Sequence, residues 1–551
     1  MGPTIRVLIL SAPLAVLTAC GGNSIGGAFS VAPLDVMGPA NIRFADSFTA
    51  LDLGAQIAAA DTDLDASAGQ IWVTSSGTIS TAVNLRKNHD LICVGSQVTL
   101  TMSTSSSSIV QSSHTRVKGC TFSSSLTIAV KGEVYSQNTT DVGAEDLTFI
   151  GGGTNIQYSS VTGFTITNPH VVSMTAPTFS IEAFRSIDGQ IISPQVEDFT
   201  WPATADGVEL RAIVVMNSSK VEVIDPVIRN IDATRVWTFG GVSFWGSTNS
   251  SLVGGILNGL KNGDGVVTEK GSADIDISGT QSFGNSPSAG AGVNANDGDG
   301  FDIFNSARVH LSACNGRGNG IIGPHHNIEI FTSTDVTVQD CDASDGAYAG
   351  VAVVGSPRTK LLGITANRNQ SAGLAFTPAL GTVNTYGTSV TFVSGESFGM
   401  AWAPNTTIII NSGTYKIASV SGFTSLTLTT SAGTQTGVTY SVDSYDGQVI
   451  GGEFSGNGLG LGVTGTREGV YLAGGTTGLI QGITATDPKA MKTQTYGIRL
   501  ENSARAVLTC NSLEGNLDGA IQDSVGESPV IGCQTRHEWA FPSPSPAKTS
   551  P

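Results

Sequence analysis

The amino-acid sequence predicts an all-β solenoid, in which short strands stack in successive coils. Three observations support this prediction: a glycine recurs before alternating apolar residues, several of these glycines lie 20 to 30 residues apart, and no long amphipathic helical segment separates the strands. Strands too short to form a core by themselves must bury their apolar face against neighbouring coils. The anchoring glycines are Gly241, Gly265, Gly300, Gly320, Gly350, Gly373, Gly469, Gly497 and Gly519.

Each coil is predicted to begin with a strand whose first and third residues after the glycine are apolar. After Gly241 these positions hold Val and Phe, after Gly350 they hold two Val, and after Gly497 they hold Ile and Leu. The residues between them vary, and this period of two is typical of a strand with one buried face. The coils should therefore run strand, turn, strand, turn, and stack about 4.8 Å apart.

A short helix is predicted at residues 52–61, ahead of strands at residues 69–73 and 91–95. Together with the repeat, this beginning resembles the right-handed parallel β-helix of the pectate-lyase-like superfamily, the pectin lyase fold. The resemblance implies a capping helix that shields the end of the apolar stack. It does not select a reaction, because the same scaffold carries lyases, hydrolases, epimerases, esterases and adhesins.

Composition changes along the chain divide it into six segments. Between Gly373 and Gly469 the sequence contains strands and turns but no anchoring glycine, which predicts a small antiparallel β-module inserted into the solenoid. The predicted segments are a signal peptide at 1–20, a flexible tether at 21–43, solenoid at 44–380, the inserted module at 381–446, the last coils at 447–534, and a Pro/Ser-rich tail at 535–551.

The N-terminal segment predicts export. Arg6 precedes an apolar run at residues 7–16 that ends in Leu-Thr-Ala-Cys20, which resembles the lipobox of bacterial lipoproteins. By that resemblance Cys20 becomes the lipidated N-terminus, and Gly21 behind it fits the outer membrane or cell surface. The alternative is an ordinary signal peptide that happens to end near a cysteine.

The six remaining cysteines are regularly spaced. Cys314 and Cys341 lie 27 residues apart, which is about one coil, and both follow apolar residues at equal offsets. In an exported protein, cysteines stacked on adjacent coils can form a disulfide. The alternative is a ladder of buried free thiols that pack as small apolar side chains.

The formal net charge of −17 argues against nucleic acid as a partner, because phosphate binding requires a basic surface. An acidic surface also repels acidic polysaccharides. A substrate of that kind would need a bound cation such as Ca²⁺, or a local basic patch.

Candidate functional residues gather on the outward positions of neighbouring coils. Stacking should place Asp264 near Asp299, and Glu269 near Asp302 and Phe304. Carboxylates, a basic group and aromatic platforms in one groove are what polysaccharide cleavage requires. The predicted catalytic residues are Asp299, Asp302, Glu269, Lys270 and His325; the predicted substrate-binding residues are Trp245, Phe304 and His326; Asp264 and Asp297 are predicted as calcium ligands.

Several alternatives stay open at this stage. Asp264 and Asp299 precede glycines and can be turn formers, the loop at Asp297 can be a solvated turn, and a neighbouring loop can cover Trp245. A polysaccharide lyase would use Lys270 or His325 as its base, whereas a glycoside hydrolase would use the carboxyl groups. The other class is a non-catalytic β-helix that binds glycan or builds the cell surface.

Overall fold

The structure is a computed structural model, and it describes residues 41–95, 98–127, 132–176, 178–201, 209–233, 238–286, 298–320, 325–460, 466–475, 477–501 and 504–524. At residues 209 and 238 it describes the backbone only. The predicted signal peptide, Cys20, Asp297, Cys533 and the C-terminal tail lie outside the described residues. Among the described residues, no helix has the length and apolar character needed to cross a membrane.

Three parallel sheets run along the solenoid, and we call them sheets I, II and III. They contain sixteen, fifteen and nine strands, and each strand pairs with a strand of the neighbouring coil.

The strands of sheet I are Asn41–Phe44, Gly69–Val73, His89–Cys93, Thr115–Lys118, Thr140–Glu145, Thr162–Thr167, Ile187–Ile192, Ser219–Ile224, Thr248–Val253, Ala273–Ser278, Ala307–Ser312, Thr337–Gln339, Lys360–Leu362, Gly447–Ile450, Thr477–Gln481 and Arg505–Thr509. Those of sheet II are Ala82–Asn84, Ser108–Gln111, Val134–Gln137, Ile156–Ser159, Ile181–Phe184, Glu209–Met216, Thr238–Trp245, Asp264–Glu269, Phe301–Phe304, Ile328–Phe331, Val351–Val354, Leu374–Thr377, Val470–Leu472, Tyr496–Leu500 and Gly519–Asp523. Those of sheet III are Gly77–Ile79, Thr99–Met102, Thr121–Ser124, Thr148–Gly151, His170–Ser173, Gln195–Glu197, Val227–Arg229, Ile256–Asn258 and Gln281–Phe283.

The inward residues of all three sheets form one apolar core, which extends from Ala45 to Ile521. In the strand Gly69–Val73, for example, buried and partly exposed residues alternate. Parallel strands joined into stacked coils, with alternate side chains turned into a shared core, confirm the predicted all-β solenoid.

Steric crowding between coils explains the recurring glycine. A Cβ atom added to Gly241 would lie 2.6 Å from the carbonyl oxygen of Gly265, and one added to Gly265 would lie 2.6 Å from that of Gly300. The glycine therefore permits close stacking of one coil on the next.

Two predicted anchors are wrong. Asn327, and not Gly320, directly precedes the strand Ile328–Phe331, and Gly519 lies one residue ahead of the equivalent position, since it pairs with Tyr496.

The predicted N-terminal helix is present at Leu53–Asp63, after a short 3₁₀ turn at Ala45–Ser47. Asp52 caps the helix, and its side chain accepts a hydrogen bond of 2.8 Å from the backbone N–H of Ala55. Leu53, Ile57 and Ala60 are buried against the first coils, so the helix covers the apolar end of the stack as expected.

The inserted module is a closed six-stranded antiparallel barrel with its own apolar core. The chain leaves sheet II after Leu374–Thr377 and returns to sheet I at Gly447–Ile450, which pairs with Lys360–Leu362. The prediction of an antiparallel module at this place is confirmed. Its strands are Ala379–Tyr386, Ser389–Gly395, Thr407–Ile410, Gly413–Gly422, Ser425–Leu428 and Thr434–Val442.

In the part of the chain that the structure describes, two disulfides join adjacent coils. Cys93 is bonded to Cys120, and Cys314 is bonded to Cys341. For Cys314 and Cys341 the structure therefore favours the disulfide over the ladder of free thiols. Disulfides of this kind persist in oxidising compartments, which fits an exported protein.

Candidate active site

Three neighbouring strands of sheet II carry the predicted site: Asp264–Glu269, Phe301–Phe304 and Ile328–Phe331. In their register, Asp302 pairs with Val267 on one side and with Glu329 on the other. Asp302 and Glu329 are partly exposed between buried apolar neighbours, so both point away from the core. Adjacent strands lie about 4.8 Å apart, which places the two carboxyl groups side by side.

Two further carboxyl groups lie where the same strands begin. Asp264 is buried within its strand, and its Oδ1 accepts backbone hydrogen bonds of 2.7 Å from Gly298 and 2.8 Å from Asp299. Asp264 lies within a strand and not in a turn of its own, and it fixes the backbone that leads into the next strand. We call Asp264, Asp299, Asp302 and Glu329 the acidic cluster.

Asp299 connects the acidic cluster to two histidines. It is buried, its Oδ1 accepts the backbone N–H of His326, and its Oδ2 lies 3.8 Å from Nδ1 of His325. Its carboxyl group also donates a hydrogen bond to Glu329. A carboxyl group can donate only when protonated, so this contact requires a proton to stay within the cluster.

Burial and mutual repulsion keep protons on the acidic cluster. Burial, followed by the charges of Glu329 and Asp264, holds the pKa of Asp299 well above its usual range. Burial and then the charges of Asp264 and Glu329 have the same effect on the pKa of Asp302. Burial raises the pKa of Glu329 to about 7, and Asp264 adds to that rise. Burial also raises the pKa of Asp264, although its two backbone donors oppose the rise.

Glu269 has a different environment from the acidic cluster. Its Oε1 lies 2.8 Å from Nη2 of Arg211, and both side chains are buried. Ser243 donates a second hydrogen bond to the same oxygen at 3.2 Å. The guanidinium and the hydroxyl together hold this buried carboxyl group in a fixed position. Glu269 still contributes to the site, since its negative charge raises the pKa of Asp302.

His326 is the more distinctive of the two histidines. Burial, and then the charge of His325, lower the pKa of His326 to about 4, so its imidazole is neutral at physiological pH. Its ring packs edge-on against Tyr348, with the centroids 5.2 Å apart. Its Nδ1 is buried and has no hydrogen-bond partner among the residues that the structure describes. A neutral histidine thus lies buried beside the acidic cluster.

The predicted aromatic residues lie at the ends of two sheet II strands, Trp245 at the end of Thr238–Trp245 and Phe304 at the end of Phe301–Phe304. Nζ of Lys270 lies 5.0 Å from the ring centroid of Trp245, a distance typical of a cation–π contact. Phe304 contacts Phe331 at 5.6 Å between centroids, and on its other side it stacks on Phe423 of the inserted barrel at 6.1 Å. The barrel therefore borders the site.

Among the residues that the structure describes, no group of three or more His, Cys, Asp or Glu side chains is arranged to hold a metal ion. Asp264 uses one oxygen for two backbone donors, and its predicted co-ligand Asp297 lies outside the described part of the chain.

The structure also brings in residues that the sequence did not nominate. They are Glu329, which completes the carboxyl pair, Arg211, which holds Glu269, Tyr348, which packs on His326, and Phe423, which stacks on Phe304. A signal for Glu329 existed: the segment Asn327-Ile-Glu-Ile-Phe has the alternation of a coil strand, with asparagine in place of the anchoring glycine.

Comparisons with known proteins show likeness at the level of the fold. No protein-family model matches this chain, and no curated protein matches it. Among solved structures, the A-module of the mannuronan C-5 epimerase AlgE4 from Azotobacter vinelandii is similar over 89% of this chain and 100% of that chain, with 13% identity and a TM-score of 0.39.

The surface adhesin PfbA of Streptococcus pneumoniae is similar over 70% of this chain and 98% of that chain, with 10% identity and a TM-score of 0.35. Tailspike protein 3 of bacteriophage CBA120 is similar over 90% of this chain and 62% of that chain, with 10% identity and a TM-score of 0.35. Similarity of this degree concerns the fold alone and does not extend to the site.

Proposed function

We propose that this protein is a glycoside hydrolase that cleaves a polysaccharide with the carboxyl pair Asp302 and Glu329. The observation that supports this proposal is their placement side by side on neighbouring strands, within a cluster that retains protons near neutral pH. Glycosidic cleavage requires one carboxylic acid and one carboxylate on opposite sides of the bond. A cluster of acids whose ionisation is incomplete provides both forms at once.

The surroundings of the pair suggest a role for each member. Burial and then the charges of four other carboxyl groups raise the pKa of Asp302 and so favour its protonated form. Asp302 is therefore the general acid that protonates the glycosidic oxygen. Glu329 accepts the hydrogen bond from Asp299 and is stabilised by His325, both of which favour its carboxylate. Glu329 then attacks the anomeric carbon and forms a glycosyl-enzyme bond as the leaving sugar departs. Asp302, now ionised, takes a proton from the water that releases the product.

The register also predicts the stereochemical outcome. Retaining enzymes have carboxyl groups about 5 Å apart, whereas inverting enzymes leave about 6.5–9.5 Å for a water molecule. In-register positions on adjacent parallel strands are about 4.8 Å apart. We therefore expect retention of the anomeric configuration.

A neutral glycan fits this site better than a polyuronate. Four carboxyl groups surround the reaction centre, and their field opposes a substrate that carries its own carboxylates. A lyase would need Lys270 or His325 as a base. Nζ of Lys270 lies against the ring of Trp245 in a cation–π contact, and Nδ1 of His325 faces Oδ2 of Asp299, so both side chains are held by neighbours within the site.

Replacing Asp302 by asparagine tests the proposal. Wild-type protein should release reducing ends from at least one polysaccharide in a panel of dextran, xylan, galactomannan and alginate, without unsaturated lyase products. Asp302→Asn should lose at least about a hundredfold of that activity, because the general acid is absent, while its melting temperature stays close to that of wild type. Unchanged activity would refute the role of Asp302, and glycan binding without any cleavage would favour a non-catalytic β-helix.

We also propose that the protein is exported and attached to the membrane through a lipid on Cys20. The two disulfides support export, and the lipobox-like segment at residues 17–20 supports the anchor. Cys20→Ser should release the protein from the membrane fraction of a bacterial host. Persistent membrane association of that variant would contradict the lipid anchor.

A further inference from the structure

The inserted barrel contacts the solenoid directly beside the acidic cluster. The backbone N–H of Met400 donates to Oδ1 of Asn305 at 2.9 Å, and the indole N–H of Trp402 donates to the carbonyl of Gly355 at 2.9 Å. Thr334 of the intervening coil donates to the carbonyl of Ala401 at 3.1 Å. The segment 399–403 thus attaches the barrel to three successive coils.

A second part of the barrel reaches further over the site. Phe423 lies in the turn between the strands Gly413–Gly422 and Ser425–Leu428, and its backbone carbonyl accepts a hydrogen bond of 3.0 Å from Phe398. Its ring is parallel to that of Phe304 within 4°. A hydrogen-bonded backbone fixes the direction of this ring, so its position over the site is set by the barrel.

Phe423 and Trp245 lie on either side of Lys270. The ammonium nitrogen of Lys270 is 5.0 Å from the Trp245 centroid and 5.5 Å from the Phe423 centroid. All three side chains are only partly buried, so parts of both rings remain accessible. Phe304, on which Phe423 stacks, is two residues beyond Asp302 on the same face of one strand, about 7 Å along it. Trp245 lies two strands further across sheet II, about 10 Å from Phe304.

We propose that the barrel forms the second wall of the active-site cleft, and that Phe423 and Trp245 bind a sugar ring of the polysaccharide at a short distance along the cleft from the cleaved bond. The inference rests on the proposed hydrolase function for the position of that bond. Aromatic rings suit the apolar face of a pyranose, and these two lie on the outward face of the same sheet as the carboxyl pair. The substrate class is therefore a polysaccharide chain that occupies more than one subsite.

Attachment of the barrel to the solenoid does not by itself explain why Phe423 lies over the site. The three hydrogen bonds of the segment 399–403 already hold the barrel, and none of them involves Phe423. Tyr386 provides a comparison within the same barrel. It also lies at the end of a hairpin, but it is 79% exposed and projects into solvent.

Affinity electrophoresis through gels that contain dextran, xylan, galactomannan or alginate tests the inference. All variants carry Asp302→Asn, so that hydrolysis does not consume the polysaccharide. Phe423→Leu keeps an apolar side chain for packing on Phe304 but removes the flat ring, and Tyr386→Ala is the matched control. We expect about tenfold weaker binding for Phe423→Leu, which corresponds to about 1.4 kcal/mol, and no change for Tyr386→Ala.

The outcomes separate this inference from the proposed function. Equal retardation of Phe423→Leu and its Asp302→Asn parent would overturn the inference, even if Asp302 proves essential for cleavage. A parent that no gel retards would also overturn it. Weaker binding of Phe423→Leu alone, with an unchanged melting temperature, would support the aromatic subsite even if the assigned acid and nucleophile were wrong.

Discussion

Replacing Glu329 by glutamine tests the electrostatic account of the acidic cluster. Burial, and then the charge of Asp264, raise the pKa of Glu329 from 4.5 to about 7, while His325 and the hydrogen bond from Asp299 oppose the rise. An acid with a higher pKa in the folded protein than in the unfolded chain binds protons more tightly when folded. Its stabilising contribution is therefore complete below the unfolded pKa of 4.5 and is lost as the pH rises through about 7.

The size of the effect follows from the two pKa values. At about 1.36 kcal/mol for each pH unit, ionisation of Glu329 removes about 3 kcal/mol of stability from the wild-type protein between about pH 4 and about pH 8. Glutamine cannot ionise, so the variant escapes this loss. Because Glu329 is partly exposed, solvent reduces the expected gain to about 2 kcal/mol. Loss of the Glu329 charge also lowers the pKa of Asp299 and of Asp302, which acts in the same direction.

Urea denaturation followed by tryptophan fluorescence, at an acidic and at a mildly alkaline pH, measures this difference. The slopes must agree between variants, because a solenoid can lose cooperativity and a changed slope would invalidate the comparison. Glu514→Gln, at an exposed position in the coil that follows Arg505–Thr509, is the matched control and should show little change with pH. A free-energy difference between Glu329→Gln and wild type that is the same at both pH values would refute the proposed environment of Glu329.

Three further predictions follow from the buried contacts. Arg211→Met should lower the free energy of unfolding by about 3–5 kcal/mol, because it leaves the Glu269 carboxylate buried without its partner. The double variant Arg211→Met with Glu269→Leu should regain most of that stability in thermal denaturation. A double variant as unstable as Arg211→Met alone would argue against the ion pair. The pH–rate profile of hydrolysis should be bell-shaped, and the rate should rise near pH 7 as Glu329 ionises. A pH-independent rate would exclude Glu329 as the nucleophile. Cys341→Ser should lower the free energy of unfolding by about 3.5 kcal/mol, which is the loop entropy contributed by the Cys314–Cys341 disulfide with its sequence separation of 27 residues. Equal urea midpoints for wild type and variant would show that the disulfide does not contribute to stability.

The fold could be predicted because its main constraint is local and repeats. A side chain at Gly241 or Gly265 would collide with the next coil, so the glycine marks the register of those strands of sheet II that carry it. The same rule failed where another residue fills that position. Asn327 precedes the strand Ile328–Phe331, and its side-chain amide donates to the carbonyls of Ala343 and Ser344 at 2.7 and 3.0 Å. The count of glycines therefore passed over this strand, and Glu329 with it.

Contacts between coils that are not adjacent, and between the barrel and the solenoid, could not be predicted from the sequence. Glu269 was nominated as an acid or base, but its partner Arg211 lies two coils earlier, where Ala212 occupies the anchor position and no glycine marks the register. Phe423 was passed over for a related reason. The barrel could be recognised as an insertion from the interrupted repeat, but the direction in which its hairpins point depends on tertiary packing that no local pattern records.

Asp302 and Glu329 occupy outward positions that hold uncharged residues in the neighbouring coils, so their charge is a requirement of the site and not of the fold. Before and after the pair, the same row of outward positions holds Val267 and then Ala352 and Ala375. Those small or apolar residues satisfy the solenoid without any charge, whereas carboxyl groups directly opposite each other on adjacent strands are destabilising. The opposed pair therefore costs stability that the coil does not require. Such a cost is expected where chemistry depends on it, because the repulsion that weakens the coil is what retains the proton for the general acid.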